Sequence, residues 1–201
     1  MPSPRVMKNP ETARKAASLD LGAALAARVR RERQSREWPL DELANRAGVS
    51  RAIISKIERQ ECSPTAATLG RLSGAFGISM SSLLASAESD SRRLLRSSEQ
   101  QTWTDPKTRY VRRAVSPMAG APLQLIEVEL PPGAKVPFPA SAYRFLHQQI
   151  WILSGRLIFR EGDAEHDLQK GDCLQLGSPA DCVFENRSAA VCRYLVAVIT
   201  H

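Results

Sequence analysis

The chain has 201 residues, with 28 Lys and Arg against 21 Asp and Glu for a net charge of +7, which leaves room for one large or two small domains. It contains no apolar run long enough to span a bilayer, and its opening MPSPRVMKNPETARKAASLD lacks the apolar stretch of a secretory signal, so a cytoplasmic location without a membrane partner is expected. Cys62, Cys173, Cys182 and Cys192 show no C-x-x-C spacing, which argues against a structural zinc site and, in a reducing compartment, against obligatory disulfides.

The charge is unevenly placed. Residues 1–87 hold 14 Lys and Arg against 8 Asp and Glu, whereas residues 88–201 hold 14 against 13. A basic first part and a nearly neutral second part suggest a polyanion partner for the first and a different task for the second.

Residues 1–18 are polar, contain three prolines and lack an apolar period, so they are expected to form a disordered arm. From Leu21 to Trp38, Leu25 and Val29 follow Leu21 on one face with arginines on the others, which predicts an amphipathic helix ending near Trp38, before Pro39. LDELANRAG repeats the pattern and offers Gly48 as a left-handed stop. A third helix opens after a very short turn, with Ser50 as its N-cap and Val49 and Ile54 at the staple positions. Ile54 and Ile57 share its packing face, leaving Arg51, Ala52, Ser55, Lys56 and Arg59 on other faces. SPTAATLGRLSGAFG predicts a fourth helix with Ser63 as cap and Pro64 at the first position, ending at Gly77, and SMSSLLAS a fifth capped by Ser79. Five helices over residues 19–86 make a compact bundle. Residues 87–102 are polar and serine-rich, as a linker would be. From residue 103 to 201, short apolar stretches such as LQLIEVEL, QIWILSGRLIF and VCRYLVAVI alternate with PPGA, EGDAEHD and KGD, the spacing of an all-β sandwich or barrel.

The segment LDELANRAGVSRAIISKIERQECSPTAATLGRLSGAFGIS resembles the xenobiotic-response-element (XRE) and phage-repressor family in its Leu-Ala before the turn, its Gly-Val-Ser, its Ser-Lys-Ile-Glu and the proline that begins the next helix. The resemblance implies a lambda-repressor-like helix-turn-helix bundle whose third helix enters the major groove of double-stranded DNA, as a homodimer on an inverted repeat. It implies that Arg51 faces base edges, with Ala52, Ile53, Ser55 and Lys56 along the same surface, and that Ser50 and Arg59 lie near phosphates. It also implies a structural ion pair between Glu58 and Arg33. Gln60 departs from the family, which most often has Gly there; this costs some stability or lengthens the helix.

The region from about Tyr110 to Thr200 resembles the small cupin barrel, a double-stranded β-helix or jelly roll, found behind this domain in bacterial regulators. The match rests on PPGAKVPFPASAYRFLHQQIWILSGRLIF and KGDCLQLGSPADCVFENRS, where Gly133, Gly155, Gly171, Gly177, Pro179 and Asn186 keep the motif spacing. The metal-ligand positions of the family fall on Gln148, on Ser141 and Tyr143 or Ala142 and Arg144, and on Cys182, so the resemblance implies neither a metal nor another cofactor and no enzyme. The expected task is sensing a small-molecule effector at a barrel mouth lined by Ser141, Tyr143, Gln148 and Cys182, with Arg144 nearby. The alternatives are a barrel that only dimerises, a Cys182 redox sensor and, further down the order, a cupin enzyme working without a metal or through its thiol.

Overall fold

The computed structural model describes residues 10–84, 93–117, 123–144 and 146–200. The N-terminal part folds as five helices: α1 Pro10–Gln34, α2 Leu40–Ala47, α3 Arg51–Glu58, α4 Ala66–Phe76 and α5 Met80–Leu84. Three boundaries differ from the sequence expectation. Residues 10–18, expected in a disordered arm, belong to α1; they have no apolar period, but Pro10 in the first position, Glu11 beside it and several alanines favour a helix on propensity alone. Residues 1–9 of that arm, residues 85–86 at the end of the expected fifth helix and residues 87–92 at the start of the expected linker lie outside the described residues. At its other end α1 stops at Gln34, short of Trp38, because Glu37 turns left-handed (φ 56°) and the Trp38 amide donates back to the Arg33 carbonyl at 3.1 Å. In α4 the cap is Thr65, whose hydroxyl accepts from the Thr68 amide at 3.2 Å, so the helix starts two residues after Pro64.

The apolar stripes converge as their spacing requires: Leu25, Val29, Leu43, Ile54, Ile57, Leu69, Leu72 and Leu83 are all buried. Trp38 stacks on Phe76 at 6.0 Å, and the Arg46 guanidinium covers the Trp38 ring at 4.5 Å.

The C-terminal part is all antiparallel β. Its strands are β1 Thr102–Thr104, β2 Val111–Ala114, β3 Leu123–Leu130, β4 Lys135–Phe138, β5 Leu146–Ser154, β6 Arg156–Glu161, β7 Ala164–Gln169, β8 Cys173–Gln175, β9 Cys182–Glu185 and β10 Cys192–Thr200. They form a six-stranded sheet in the order β1-β2-β3-β10-β5-β8 and a four-stranded sheet β4-β9-β6-β7, which face each other as a jelly roll of the cupin type. Strict alternation places the core: along β10, Tyr194, Val196 and Val198 point inward and are buried, while Arg193, Leu195, Ala197 and Ile199 point outward. The inner side of the four-stranded sheet is aromatic, with Phe159 and Phe184 at 4.8 Å, Phe138 and Phe184 at 5.7 Å, and Phe184 stacked on Tyr194 at 5.8 Å.

The helical bundle seats directly on the barrel. α4 runs along β4 and the 3-10 turn Ala140–Ala142, an approach that two small residues permit: a Cβ on Gly70 would stand 2.8 Å from Phe138 Cδ1, and one on Gly74 would stand 2.7 Å from the Ser141 carbonyl oxygen. The carboxylate of Asp105, between β1 and β2, is buried and accepts from the Ala66 amide at the start of α4 at 2.6 Å; its other oxygen accepts from the Lys107 and Thr108 amides at 2.7 Å each. Beyond α4, Ser79 donates to the Gln124 side chain at 3.1 Å, and Arg112 donates to the Ser81 hydroxyl at 2.7 Å. Among the described residues, no helix is long and apolar enough to cross a membrane.

Candidate nucleic-acid interface and barrel interior

The α2–α3 corner is built by backbone chemistry. Gly48 takes φ +61°, a conformation that costs a residue with a Cβ about 1–2 kcal/mol, and its amide bonds to the Ala44 carbonyl to end α2. Two residues later the Ser50 hydroxyl accepts from the Ile53 amide at 3.3 Å and starts α3. Ile54 and Ile57 anchor one side of α3 in the bundle core.

Glu58 fixes the rotation of α3. It is buried, and Arg33 of α1 meets it with two parallel bonds, Nε to Oε1 at 2.7 Å and Nη2 to Oε2 at 2.8 Å. Arg30 adds a bond to the Glu58 carbonyl at 3.0 Å, and Arg33 also donates to the Trp38 carbonyl, in the segment after α1, at 2.9 Å. The hydrogen bond that Arg33 donates to Glu58, opposed in part by burial, raises the Arg33 pKa still further.

This clamp turns the other side of α3 outward. Arg51, Ala52, Ile53 and Lys56 are exposed, and Ile53 at 40% is a large apolar side chain left in water. Arg51 leans on Asp41 at the start of α2 at 3.3 Å, Arg59 pairs with Glu61 at 2.6 Å, and the half-buried Ser55 hydroxyl accepts from Arg59. Gln60 follows α3 with φ +63°, so the helix is not lengthened: the Glu61 amide closes it on the Lys56 carbonyl at 2.8 Å, and a residue with a Cβ stands in a left-handed position.

Of the residues expected at the barrel mouth, the structure brings two together. Tyr143, at the end of the 140–142 turn, is buried edge-on against Phe138 at 6.4 Å, and its hydroxyl meets the Cys182 thiol. The thiol also donates to the Ala180 carbonyl at 3.3 Å. Burial, reinforced by the nearby Glu161 charge, pushes Cys182 up to about 12, the reverse of what an oxidation sensor needs. Burial likewise raises the Tyr143 and Tyr194 hydroxyls, which stay neutral. Ser141 is half-buried against α4, Gln148 is half-buried with an inward register on β5, and Arg144 is exposed. These residues do not fit a cupin metal centre: Ser141, Tyr143 and Gln148 at the ligand positions carry neither imidazole nor carboxylate, and among the described residues no three His, Cys, Asp or Glu groups converge on a point.

The sequence reading missed Arg112 and Tyr110. Arg112 lies on β2 opposite Val128, on the barrel's inner side, with Nη1 at 3.5 Å from the Tyr110 hydroxyl. The segment VRRA shows no period-2 alternation, so only the sheet register reveals which arginine faces inward.

Comparison with known proteins agrees with this geometry. Residues 29–83 match the helix-turn-helix family model HTH_3. The HTH-type transcriptional regulator SutR of Escherichia coli K12 is 36% identical over 70 residues, which span 35% of this chain and 39% of that protein. Among solved structures, an HTH_3 family transcriptional regulator from Vibrio cholerae is 24% identical with a TM-score of 0.74, covering 92% of this chain and 99% of that one. The cupin domain of an XRE family regulator from Enterobacter cloacae is 13% identical with a TM-score of 0.42, over 46% of this chain and 97% of that one. Residues 29–83 of this chain are thus similar to the HTH_3 helix-turn-helix family, and the five-helix bundle that holds them is set against an all-β jelly roll.

Proposed function

We propose that the protein is a cytoplasmic, sequence-specific DNA-binding transcriptional regulator, a homodimer on an inverted-repeat operator, whose barrel senses a small molecule without a metal. The observation that carries the DNA reading is the locked rotation of α3. Arg33 and Glu58 hold the helix so that Arg51, Ala52, Ile53 and Lys56 lie outward together, beside an N-terminus already capped by Ser50. Arg51 is suited to donate two bonds to guanine, Ile53 to meet a thymine methyl, and Ser50, Ser55 and Arg59 to lie near phosphates. A dimer sets two such helices about 34 Å apart, one turn of DNA.

For the barrel, support for sensing over catalysis comes from its chemistry: Tyr143, Cys182 and Tyr194 all remain protonated at neutral pH and offer hydrogen bonds, not a base or a nucleophile.

The test is operator selection from random duplex followed by fluorescence anisotropy. Arg51→Ala should cost about 1–3 kcal/mol on the selected site and relax preference at one base pair, while Arg59→Ala should weaken binding to all duplexes alike. Equal losses on selected and scrambled duplex for Arg51→Ala would remove Arg51 from base reading, and no selectable sequence at all would overturn the regulator.

A further inference from the structure

We propose that Arg112 anchors a small carboxylate-bearing molecule at the end of the barrel beneath α5, and that Ser81 couples its occupancy to the DNA-binding domain. This rests on the reading of the barrel as a sensor and supplies the class of ligand.

The argument begins with an imbalance of charge. Among the described residues, the half-buried arginines Arg28, Arg33, Arg36, Arg113 and Arg160 each have a carboxylate within 4 Å. Arg112, also half-buried, has none; its guanidinium donates only to hydroxyls, from Nη2 to Ser81 at 2.7 Å and from Nη1 to Tyr110 at the long distance of 3.5 Å. A guanidinium carries five donors in a fork shaped for two parallel bonds to a carboxylate. Most of that capacity is unused here, in partial burial where an unmatched charge is costly.

The surroundings narrow the ligand. The Arg112 charge also acts on the buried hydroxyls of Tyr143 and Tyr194, so among the described residues its polar company is phenols and a serine, with no carboxylate within 4 Å. A single cation neutralises one carboxylate; a doubly charged phosphate would keep an uncompensated charge in this partly apolar setting. The phenol rings and Phe138, which meets Tyr143 edge-on, suit an apolar or aromatic remainder.

The coupling follows from which atom is engaged. Nη2 already holds Ser81, a buried residue of α5; elsewhere in this corner Ser79 donates to the Gln124 side-chain oxygen and the Gln124 amide donates to the Ser82 hydroxyl. The proposed carboxylate takes the same Nη2 hydrogen that Ser81 now accepts, and so displaces the hydroxyl and releases one tie between α5 and the barrel. By linkage, removing Ser81 as a competing acceptor must strengthen ligand binding.

The experiment uses the full chain and three probes, benzoate, its neutral analogue benzamide, and inorganic phosphate, in thermal-shift and calorimetric titrations of the wild type, Arg112→Gln and Ser81→Ala. Benzoate should bind the wild type and benzamide and phosphate should not; Arg112→Gln should lose at least tenfold in benzoate affinity, and Ser81→Ala should gain several-fold. Benzoate and benzamide binding alike, with no loss in Arg112→Gln, would overturn the anchor while leaving the barrel a sensor. Phosphate binding in preference to benzoate would overturn the ligand class. Failure of all three probes on wild type overturns the proposal, and the sensor reading falls with it only if native mass spectrometry also finds no co-purifying small molecule. Ser81→Ala removes one hydroxyl, so it keeps the proposal refutable if Arg112→Gln fails to fold: an unchanged benzoate affinity there would refute the coupling.

Discussion

Asp105 offers the sharpest test of how the two parts of the chain are joined. Its Oδ2 accepts from the Ala66 amide at 2.6 Å, and its Oδ1 organises the following turn through the Lys107 and Thr108 amides. Asp105→Asn preserves the volume and leaves one oxygen for the turn, but it turns an amide NH2 or a neutral oxygen toward the first amide of α4. The loss has two parts. A buried charge-assisted hydrogen bond contributes about 1.5–3 kcal/mol, and a negative charge at a helix N-terminus about 0.3–1 kcal/mol. Thr65 still caps the helix through the Thr68 amide, so α4 itself should survive. The expected result is a destabilisation of about 2–4 kcal/mol in urea unfolding followed by far-UV circular dichroism and tryptophan fluorescence, because Trp103 is buried two residues from the substitution. Read in a Trp38→Phe background, because Trp38 belongs to the bundle, the helical signal should be lost at lower urea than the barrel's tryptophan signal once the clasp is weakened. A change below about 0.5 kcal/mol, with the two signals still coincident, would show that the carboxylate neither caps α4 nor joins the domains.

Gln60 holds a left-handed position at φ +63°, so Gln60→Gly should stabilise the protein by about 0.5–1 kcal/mol, read as a shift in the urea midpoint; destabilisation would mean the side chain has a role its geometry does not reveal. Burial raises Cys182 to about 12 and Cys192 to about 11 from an ordinary value of 9.0. Both thiols are neutral in folded and unfolded chains below pH 9.0, so their contribution is fully present there; above it the unfolded thiols ionise first, and stability falls by up to about 1.4 kcal/mol per pH unit per thiol until the folded values are passed. Urea midpoints between pH 8.5 and 10.5, values set by that window, should therefore fall more steeply in the wild type than in Cys182→Ala; equal slopes would contradict the burial argument.

The parts of the fold written locally were readable from the sequence. Gly48 and Ser50 specify the α2–α3 corner with their own backbone and hydroxyl chemistry, and the period of Ile54 and Ile57 picks the packing side of α3. The misplaced cap of α4 shows the limit of local signals: Ser63-Pro64 carries the usual signature, yet Thr65 takes the role because Thr68 lies three residues ahead of it and Asp105 arrives from elsewhere in the chain. In the barrel, the resemblance marked Tyr143 and Cys182, but their mutual burial depends on β4 and β9 pairing, which no short window reveals. Arg112 was illegible for the same reason: its partners Ser81 and Tyr110 are 31 and 2 residues away, and the more distant one decides its chemistry.

The two bare Cα positions of α4, Gly70 and Gly74, give that helix a double tenancy: its leucines belong to the bundle and its notch to the barrel. A methyl added at either place wedges against Phe138 or the Ser141 carbonyl, so the bundle's docking angle is dictated by the absence of two carbons. Hybrids that graft a foreign barrel onto this bundle must reproduce the matching ridge; without it they will carry a reading head whose seat has nothing to sit on.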